Sequence, residues 1–448
     1  MEMENMPIPK RPETEEDKEN LRQIWQDTKA EDIAEFIASL EDREDQLAYI
    51  SALEPEDMAI VLNELGDGEL FTDLLLNMSE EEARLITDEI STDDATDLLA
   101  DVEESTQKRV LTLFEDESRD DITDLLTYEE DTAGGLMTTE FVVVPVFVEV
   151  EKAIELIRSF APDAETIYYI YVIDGTNRLV GILSLRELIV AHPNSTVAEI
   201  MIPDVLSVNV HADQEEVADL MSKYNLLALP VVDDEEHILG IITVDDIVDV
   251  IHEEATEDIY RMAGTSEREG EEDSTVFNAY RARMPWLLIT ILGELGSGSV
   301  LSASEVKLQT VAALSIFIPL LTGLAGNVGT QSSTVTVRGI ATGTITSKTA
   351  IRTIAKEVIV GLILGLTIGL LVMGIATFWK DNFQIGLVVG ITLFINNFTA
   401  ALMGTVVPLI FMLVKKDPAV ASAPFITMVV DILGLVNYML VATVILGL

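Results

Sequence analysis

MPWLLITILGELGSGSVL, residues 284–301, divides the chain into two kinds of protein. It is apolar enough to enter a bilayer, whose hydrocarbon core of about 30 Å takes roughly 20 residues of helix. Four more such runs come after it, so the spans are expected near Pro285–Leu301, Val311–Val335, Ile354–Phe378, Ile385–Val414 and Ala419–Leu448. A single apolar run could be a buried core helix, but five in succession, separated by short charged loops, read as a membrane domain over residues 284–448. The fold class expected is therefore multidomain, with α, α/β and five-helix membrane parts.

The charge follows the same boundary. The 448 residues carry 27 Lys plus Arg against 78 Asp plus Glu, for a net charge of −51. From Met284 onward there are six acids and eight bases, which leaves 72 acids and 19 bases upstream. The first 283 residues are therefore near −53 and the remainder near +2. So acidic a surface argues against nucleic acid as a partner, because phosphate binding needs positive charge. With a hydrophobic fraction of 48% the chain is not a disordered polyanion. The chain has no cysteine, which removes disulfides, thiolate metal sites and cysteine nucleophiles. The polar opening MEMENMPIPKRPETEEDKEN shows no apolar core, so no signal peptide is expected. With the N-terminus inside, the inner loops hold Arg281, Arg283, Arg338, Lys348, Arg352, Lys356, Lys415 and Lys416, and the outer loops only Lys307 and Lys380. That bias places the acidic part in the cytosol of a plasma-type membrane and the C-terminus outside.

Upstream, residues 1–20 read as a flexible acidic tail and residues 21–130 as short amphipathic helices. Examples are EPEDMAIVLNEL (Glu54–Leu65), SEEEARLITDEI (Ser79–Ile90) and STDDATDLLADV (Ser91–Val102). Ser79 with Glu82 predicts a capping box, and Ser91 predicts another N-cap. Their similar spacing suggests stacked helical hairpins in a superhelix. Residues 131–260 change period. LMTTEFVVVPVFVEVEKAIELI (136–157) is echoed by IMIPDVLSVNVHADQEEVADLM (200–221), and YVIDGTNRLVGILSLREL (171–188) by PVVDDEEHILGIITVDDI (230–247). Each copy, 136–199 and 200–260, reads strand, helix, strand, turn, strand, helix, with Asp174-Gly175 as the first hairpin turn. This doubled pattern, ending in Gly181-Ile-Leu-Ser184 and Gly240-Ile-Ile-Thr243, resembles a tandem pair of CBS domains. The resemblance implies a regulatory module that sometimes binds adenine nucleotides such as ATP. In that family a Ser or Thr followed three residues later by Asp meets the ribose. Thr243…Asp246 fits, whereas Ser184-Leu-Arg186-Glu187 departs from it.

Residues 261–283 are expected to connect the two parts, with Glu271–Arg283 as an amphipathic helix presenting Phe277 and Tyr280. In the membrane, polar groups are few and each calls for a reason. The densest set is PLLTGLAGNVGTQ (319–331). Gly323, Gly326 and Gly329 allow close backbone approach or local unwinding, and Asn327 and Gln331 lie one turn apart. Asp431 lies deep in the last span with Thr427 one turn before it, and Glu294 is the second deep acid. Asn396-Asn397 reads as a break in the fourth span.

The segment Pro319…Gly326-Asn327…Gln331…Arg338-Gly339, with Asp417-Pro418…Pro424…Asp431 and Glu254-Ala-Thr-Glu257-Asp258…Gly264, resembles the MgtE magnesium transporters over nearly the whole chain. That resemblance implies a homodimeric, five-span, Mg²⁺-selective channel whose cytosolic domains sense Mg²⁺ and close the pore. It also implies Asp431 as the pore aspartate, and Gly135, Asp417, Asp94 and Asp97 as sensor positions. The residue types agree independently. Mg²⁺ is a hard ion that prefers oxygen, and all four histidines lie between residues 192 and 252, none in the spans. A two-fold dimer would bring two Asp431 carboxylates to one axis. In the cytosol, Asp246, Asp249, Glu253 and Glu257 form one helical stripe with Glu254 and Asp258 beside it. Like charges so spaced oppose the helix, and a divalent ion would reverse that. Asp213 and Glu215, at the start of the second CBS helix, join the expected cation sites. The alternative on the same fold is a proton-coupled carrier of Mg²⁺, Co²⁺ or Mn²⁺. An intramembrane protease lacks its HExxH or paired-aspartate site here, and a mere anchor would not need this polar set, so no enzyme is expected.

Overall fold

The structure, a computed structural model, describes residues 11–25, 28–40, 42–160, 164–266, 275–305, 311–420 and 423–447. It divides into two compact units, Met1–Ile251 and His252–Leu448.

The first unit begins with helices α1 (Glu15–Trp25), α2 (Ala30–Ala38), α3 (Arg43–Ile50), α4 (Pro55–Leu65), α5 (Gly68–Asn77), α6 (Glu80–Thr87), α7 (Thr92–Ala100), α8 (Glu104–Val110) and α9 (Asp116–Leu125). Helices pack on the next-but-one neighbour, α2 on α4, α4 on α6, α3 on α5, α5 on α7 and α7 on α9. That stacking is the expected superhelix. The ends are set locally. Ser79 and Glu82 form the expected capping box, and Ser91 accepts the Asp94 backbone N–H. Helix α1 takes in residues 15–20 of what the sequence suggested was a flexible tail, whose residues 1–10 lie outside the described residues. Thr14 and Asp17 cap each other there, with the Asp17 N–H donating to Thr14 Oγ1 at 3.2 Å, and Leu21 and Trp25 are buried. Trp25, Phe36 and Tyr49 meet within 5.4–5.9 Å, Phe36 edge-on to both other rings. Burying side chains of that size stabilises the domain by about 2–3 kcal/mol each, which is why the amphipathic start folds rather than trails.

The CBS pair supplies two three-stranded sheets. In the first, β1 (Val143–Pro145), β2 (Tyr169–Ile173) and β3 (Leu179–Ser184) stand in the order β1-β2-β3, with β1 parallel and β3 antiparallel to β2. The second repeats this with β4 (Val208–Asn209), β5 (Ala228–Val232) and β6 (Ile238–Thr243). Helices α10 (Val150–Phe160) and α13 (Gln214–Tyr224) make the crossovers, while α11 (Leu185–Val190), α12 (Val197–Ile200) and α14 (Val244–Ala263) come after the hairpins. The hairpin turns depart from expectation in one detail. The left-handed residue is Asn177 (φ 64°) rather than Gly175, matched in the second copy by Glu236 (φ 67°). The Asp174 carboxylate accepts the backbone N–H of Thr176 at 2.7 Å and closes the turn itself.

Among its described residues the second unit has five helices long and apolar enough to cross a membrane: α15 (Val276–Ala303), α16 (Ile318–Ala341, entered through a 3₁₀ turn at Ala312–Phe317), α17 (Ala350–Lys380), α18 (Phe383–Leu413) and α19 (Ala423–Leu446). The helix expected at Glu271–Arg283 is not a separate element among the described residues. Residues 267–274 lie outside them, and from Val276 onward the segment is the opening of α15, capped by Thr275. Asn396-Asn397 does not break α18, which runs unbroken. The Asn397 amide donates to the Leu393 carbonyl one turn back at 2.9 Å, and Asn396 donates to Gly434 O of α19 at 3.3 Å. Nor does the glycine set unwind α16. Glycine serves packing, most clearly in α17, where a Cβ on Gly365 or Gly369 would come within 2.7–2.8 Å of an α18 carbonyl.

Candidate functional site

Asp431 enters the membrane domain on α19, about 12 Å from that helix's start at 1.5 Å per residue. It is 9% exposed, and its Oδ1 has no hydrogen-bond partner. A buried oxygen left so is costly and suits a group that meets a cation or its water. Thr427 lies one turn earlier and faces Gly326 of α16, where an added Cβ would sit 3.3 Å from the Thr427 methyl. Asp431, Thr427 and Gly326 are thus on the α16–α19 seam. Asn327 is not. It is exposed, on the same outer stripe of α16 as Gly323 and Gln331, because its neighbours Gly326 and Val328 take the two inward directions. Glu294 of α15 is also exposed, and its charge interacts with that of Asp431.

The cytosolic acids gather around a residue the sequence pattern does not single out, Asp93. It lies in the first turn of α7, is 8% exposed, and has one carboxylate oxygen with no hydrogen-bond partner. Burial pushes its carboxyl up. Around it stand acids from the helical domain and both CBS repeats. Asp246 is pushed up to about 7, by burial first and then by Asp93, and Glu140 likewise to about 7. Asp97 and Glu165, open to solvent on one side, are pushed in the same direction by the same two causes. Asp94 is raised mainly by burial, against hydrogen bonds from Ser91 and Asn63. Local bonds hold the set in place. The Thr92 N–H donates to Glu140 Oε1 at 3.1 Å, the Glu165 N–H to Glu140 O at 2.8 Å, and Thr139 Oγ1 to Asp121 Oδ2 at 3.0 Å. A cavity of about 860 Å³ opens on the Glu140 and Glu165 side of the set, lined also by Asp121, with no Lys or Arg in its wall among the described residues.

The remaining expected residues divide by location. Gly135 touches the loop before it, where a Cβ would fall within 2.7 Å of the Glu129 and Glu130 carbonyls. Glu130 in turn is one of the charges acting on Asp97. Asp213 is the N-cap of α13 and accepts the Glu215 N–H at 2.9 Å, which engages one of its oxygens locally. Asp249 and Glu253 face solvent. Because α14 is one helix of 20 residues, the expected acidic stripe exists, but its two ends serve different places. Asp246 joins the Asp93 cluster. Glu257, Asp258 and Glu254 meet Asp417 in the second unit, where Asp258 is pushed up to about 6 by burial, then Asp417 and Glu254.

The nucleotide pattern is also engaged elsewhere. Thr243 Oγ1 hydrogen-bonds to Asp245 and, at 2.8 Å, to Asp246 Oδ2. Ser184 and Glu187 close a capping box on α11. Arg186 is exposed.

Comparison with known proteins accounts for the arrangement. The family model for the MgtE divalent cation transporter matches residues 318–441, that for the MgtE intracellular N domain residues 28–131, and the CBS domain model residues 133–194 and 197–253. The magnesium transporter MgtE of Thermus thermophilus is 40% identical over 360 residues, 80% of each chain. That of Bacillus subtilis is 35% identical over 395 residues, 88% of this chain and 87% of the other. Among solved structures, the soluble part of a magnesium transporter is 38% identical with a TM-score of 0.47, covering 54% of this chain and 94% of that one. The cytosolic domain of the Mg²⁺ channel MgtE in complex with ATP is 40% identical with a TM-score of 0.38, covering 52% and 99%. The helical domain, the CBS pair and the five apolar helices occur here in that family's order, and the chain belongs to the MgtE family of magnesium transporters.

Proposed function

We propose that the protein is a Mg²⁺-selective channel that admits the ion down its electrochemical gradient and is closed by Mg²⁺ on its cytosolic side. The observation that carries the reading is the carboxylate cluster around the buried Asp93, whose charge acts on Asp97, Glu140, Glu165 and Asp246. Carboxylates pushed up by burial and by one another are held apart from their preferred ionised state. A divalent ion neutralises two of them at once, so it binds the gathered arrangement better than a separated one. That difference shifts a domain-packing equilibrium. Helix α14 carries both Asp246 and the Glu257–Asp258 pair, so one element holds acids of both proposed sensor regions.

For the pore, Asp431, Thr427 and Gly326 offer a carboxylate, a hydroxyl and a close backbone, a set suited to an ion that keeps most of its water. The exposed Glu294, Asn327 and Gln331 favour a homodimer, since polar groups at membrane depth do not face hydrocarbon. A second copy or a water-filled path would cover them. The loop charges support an inside N-terminus and an outside C-terminus. A proton-coupled carrier is the alternative.

The test is Mg²⁺ flux into liposomes holding the purified protein. Asp431→Asn and Asp431→Ala are expected to lose most flux while still inserting, because charge rather than shape attracts the ion. Parental flux that is indifferent to an imposed proton gradient supports a channel. Undiminished flux in both variants would remove Asp431 from the path.

A further inference from the structure

The acidic group at the end of α14 already holds a cation, supplied by the chain. Arg261 lies one turn beyond Glu257, and its guanidinium makes two ion pairs. One amino group meets Glu257 Oε1. The other donates to Asp417 Oδ2 at 2.6 Å, across 156 positions of sequence. The second oxygen of Asp417 is engaged too, accepting the Ala419 N–H at 2.7 Å. Asp258 and Glu254 add their charges to this group, opposed by Arg338 and Arg261. Four carboxylates, Glu254, Glu257, Asp258 and Asp417, thus share this place with two guanidiniums, Arg261 and Arg338. The backbone just beyond is constrained, with Gly264 left-handed (φ 80°) and a Cβ there only 2.8 Å from the Pro424 ring.

We propose that Arg261 is a tethered competitor for Mg²⁺: it occupies Glu257 and Asp417 when the ion is scarce and must leave them for the ion to bind, so it sets the Mg²⁺ concentration at which the protein responds. This rests on the sensing role proposed above and adds to it the residue that fixes the threshold. The chemistry requires a choice. A guanidinium is permanently charged and donates through a planar fork to carboxylate lone pairs. Mg²⁺ demands oxygen ligands in near-octahedral geometry at about 2.0–2.1 Å. Both cannot use Asp417 Oδ2 and Glu257 Oε1 at once. A competitor on the same helix is present at high effective concentration, which holds the response at higher Mg²⁺ than four carboxylates alone would give. A lysine would keep the charge but lose the fork.

The experiment uses the full chain in lipid nanodiscs, titrated with MgCl₂, and reads hydrogen exchange of the backbone over residues 252–266 alongside flux from matched liposomes. Arg261→Gln should raise exchange in that segment when Mg²⁺ is chelated, because the pairs to Glu257 and Asp417 are lost. It should also lower the half-effective Mg²⁺ concentration for protection and for closure by about three- to tenfold, the scale of one or two partly exposed ion pairs. Arg261→Lys should lie between the parent and Arg261→Gln. Unchanged exchange in chelator would overturn the tethered pairing. An unchanged or raised half-effective concentration, in a background where the parent responds to Mg²⁺, would overturn the competition while leaving the sensor reading standing. A parent that does not respond to Mg²⁺ in either readout would sink the sensor reading and the displacement with it.

Discussion

Asp93→Asn isolates the charge at the centre of the cytosolic cluster. The replacement keeps the shape and adds an N–H donor among acceptors. In the parent, Asp246 is pushed from 3.8 up to about 7, burial contributing most and Asp93 next. At 1.36 kcal/mol per pH unit that difference is worth roughly 4 kcal/mol, with burial the larger cause and the Asp93 charge the next. The same charge acts on Glu140, Glu165 and Asp97, partly screened by solvent. Removing it should therefore stabilise the Mg²⁺-free protein by about 2 kcal/mol at pH 8, a rise in Tm of roughly 5 °C for a unit of this size. The sign with pH comes from carboxyls raised in the fold. The native state holds protons on these groups that the unfolded chain releases, so their contribution to Mg²⁺-free stability is full below about pH 4 and is lost as pH rises through about 7. The advantage of Asp93→Asn should accordingly fade at pH 5. With saturating Mg²⁺ the order reverses, because the variant has lost a ligand. Trp25, buried in the helical core, reports the transition by fluorescence once Trp286 and Trp379 are changed to Phe in both proteins. A variant less stable than its parent at pH 8 without Mg²⁺, or a difference of equal size at pH 5, would refute the account of crowded charge.

The same groups lead to two further outcomes. Mg²⁺ binding should strengthen from pH 6 to pH 8 and release protons, since Asp246 and Glu140 near 7 must ionise to bind a cation; calorimetry in buffers of different ionisation heat counts those protons. Adenine nucleotide is expected to depend on the cationic Arg186 rather than on Asp246, because Asp246 sits among acids that repel a polyphosphate, so ATP binding should fall in Arg186→Ala and persist in Asp246→Asn.

Much of the fold is legible in the sequence because it depends on short-range pattern. The amphipathic period, the Ser79–Glu82 spacing and the doubled strand–helix–strand motif each specify local structure within a few residues. What the pattern overstates is the meaning of individual residues. Asn396-Asn397 looks like a break, yet α18 absorbs it by bonding one amide to its own turn and the other to α19. Gly175 looks like the turn residue, yet Asn177 takes the left-handed position. Asp93 is hidden for the opposite reason. In the run Thr92-Asp-Asp-Ala it reads as one more solvated acid at a helix start, where the dipole favours it, and nothing in one dimension says it will be buried.

The sequence by itself determined the order of the helical, CBS and membrane parts and the family, because composition, hydrophobic period and motif spacing are properties of the chain read along its length. Tertiary structure alone decided which acids meet. Asp93, Glu140, Glu165 and Asp246 are brought together from a helix, two loops and the second CBS repeat, and Glu257, Arg261 and Asp417 from segments more than 150 residues apart. Charge acts through space over distances that folding sets, so a stripe that looked uniform along α14 became one end of an acid cluster and one end of an ion-paired latch.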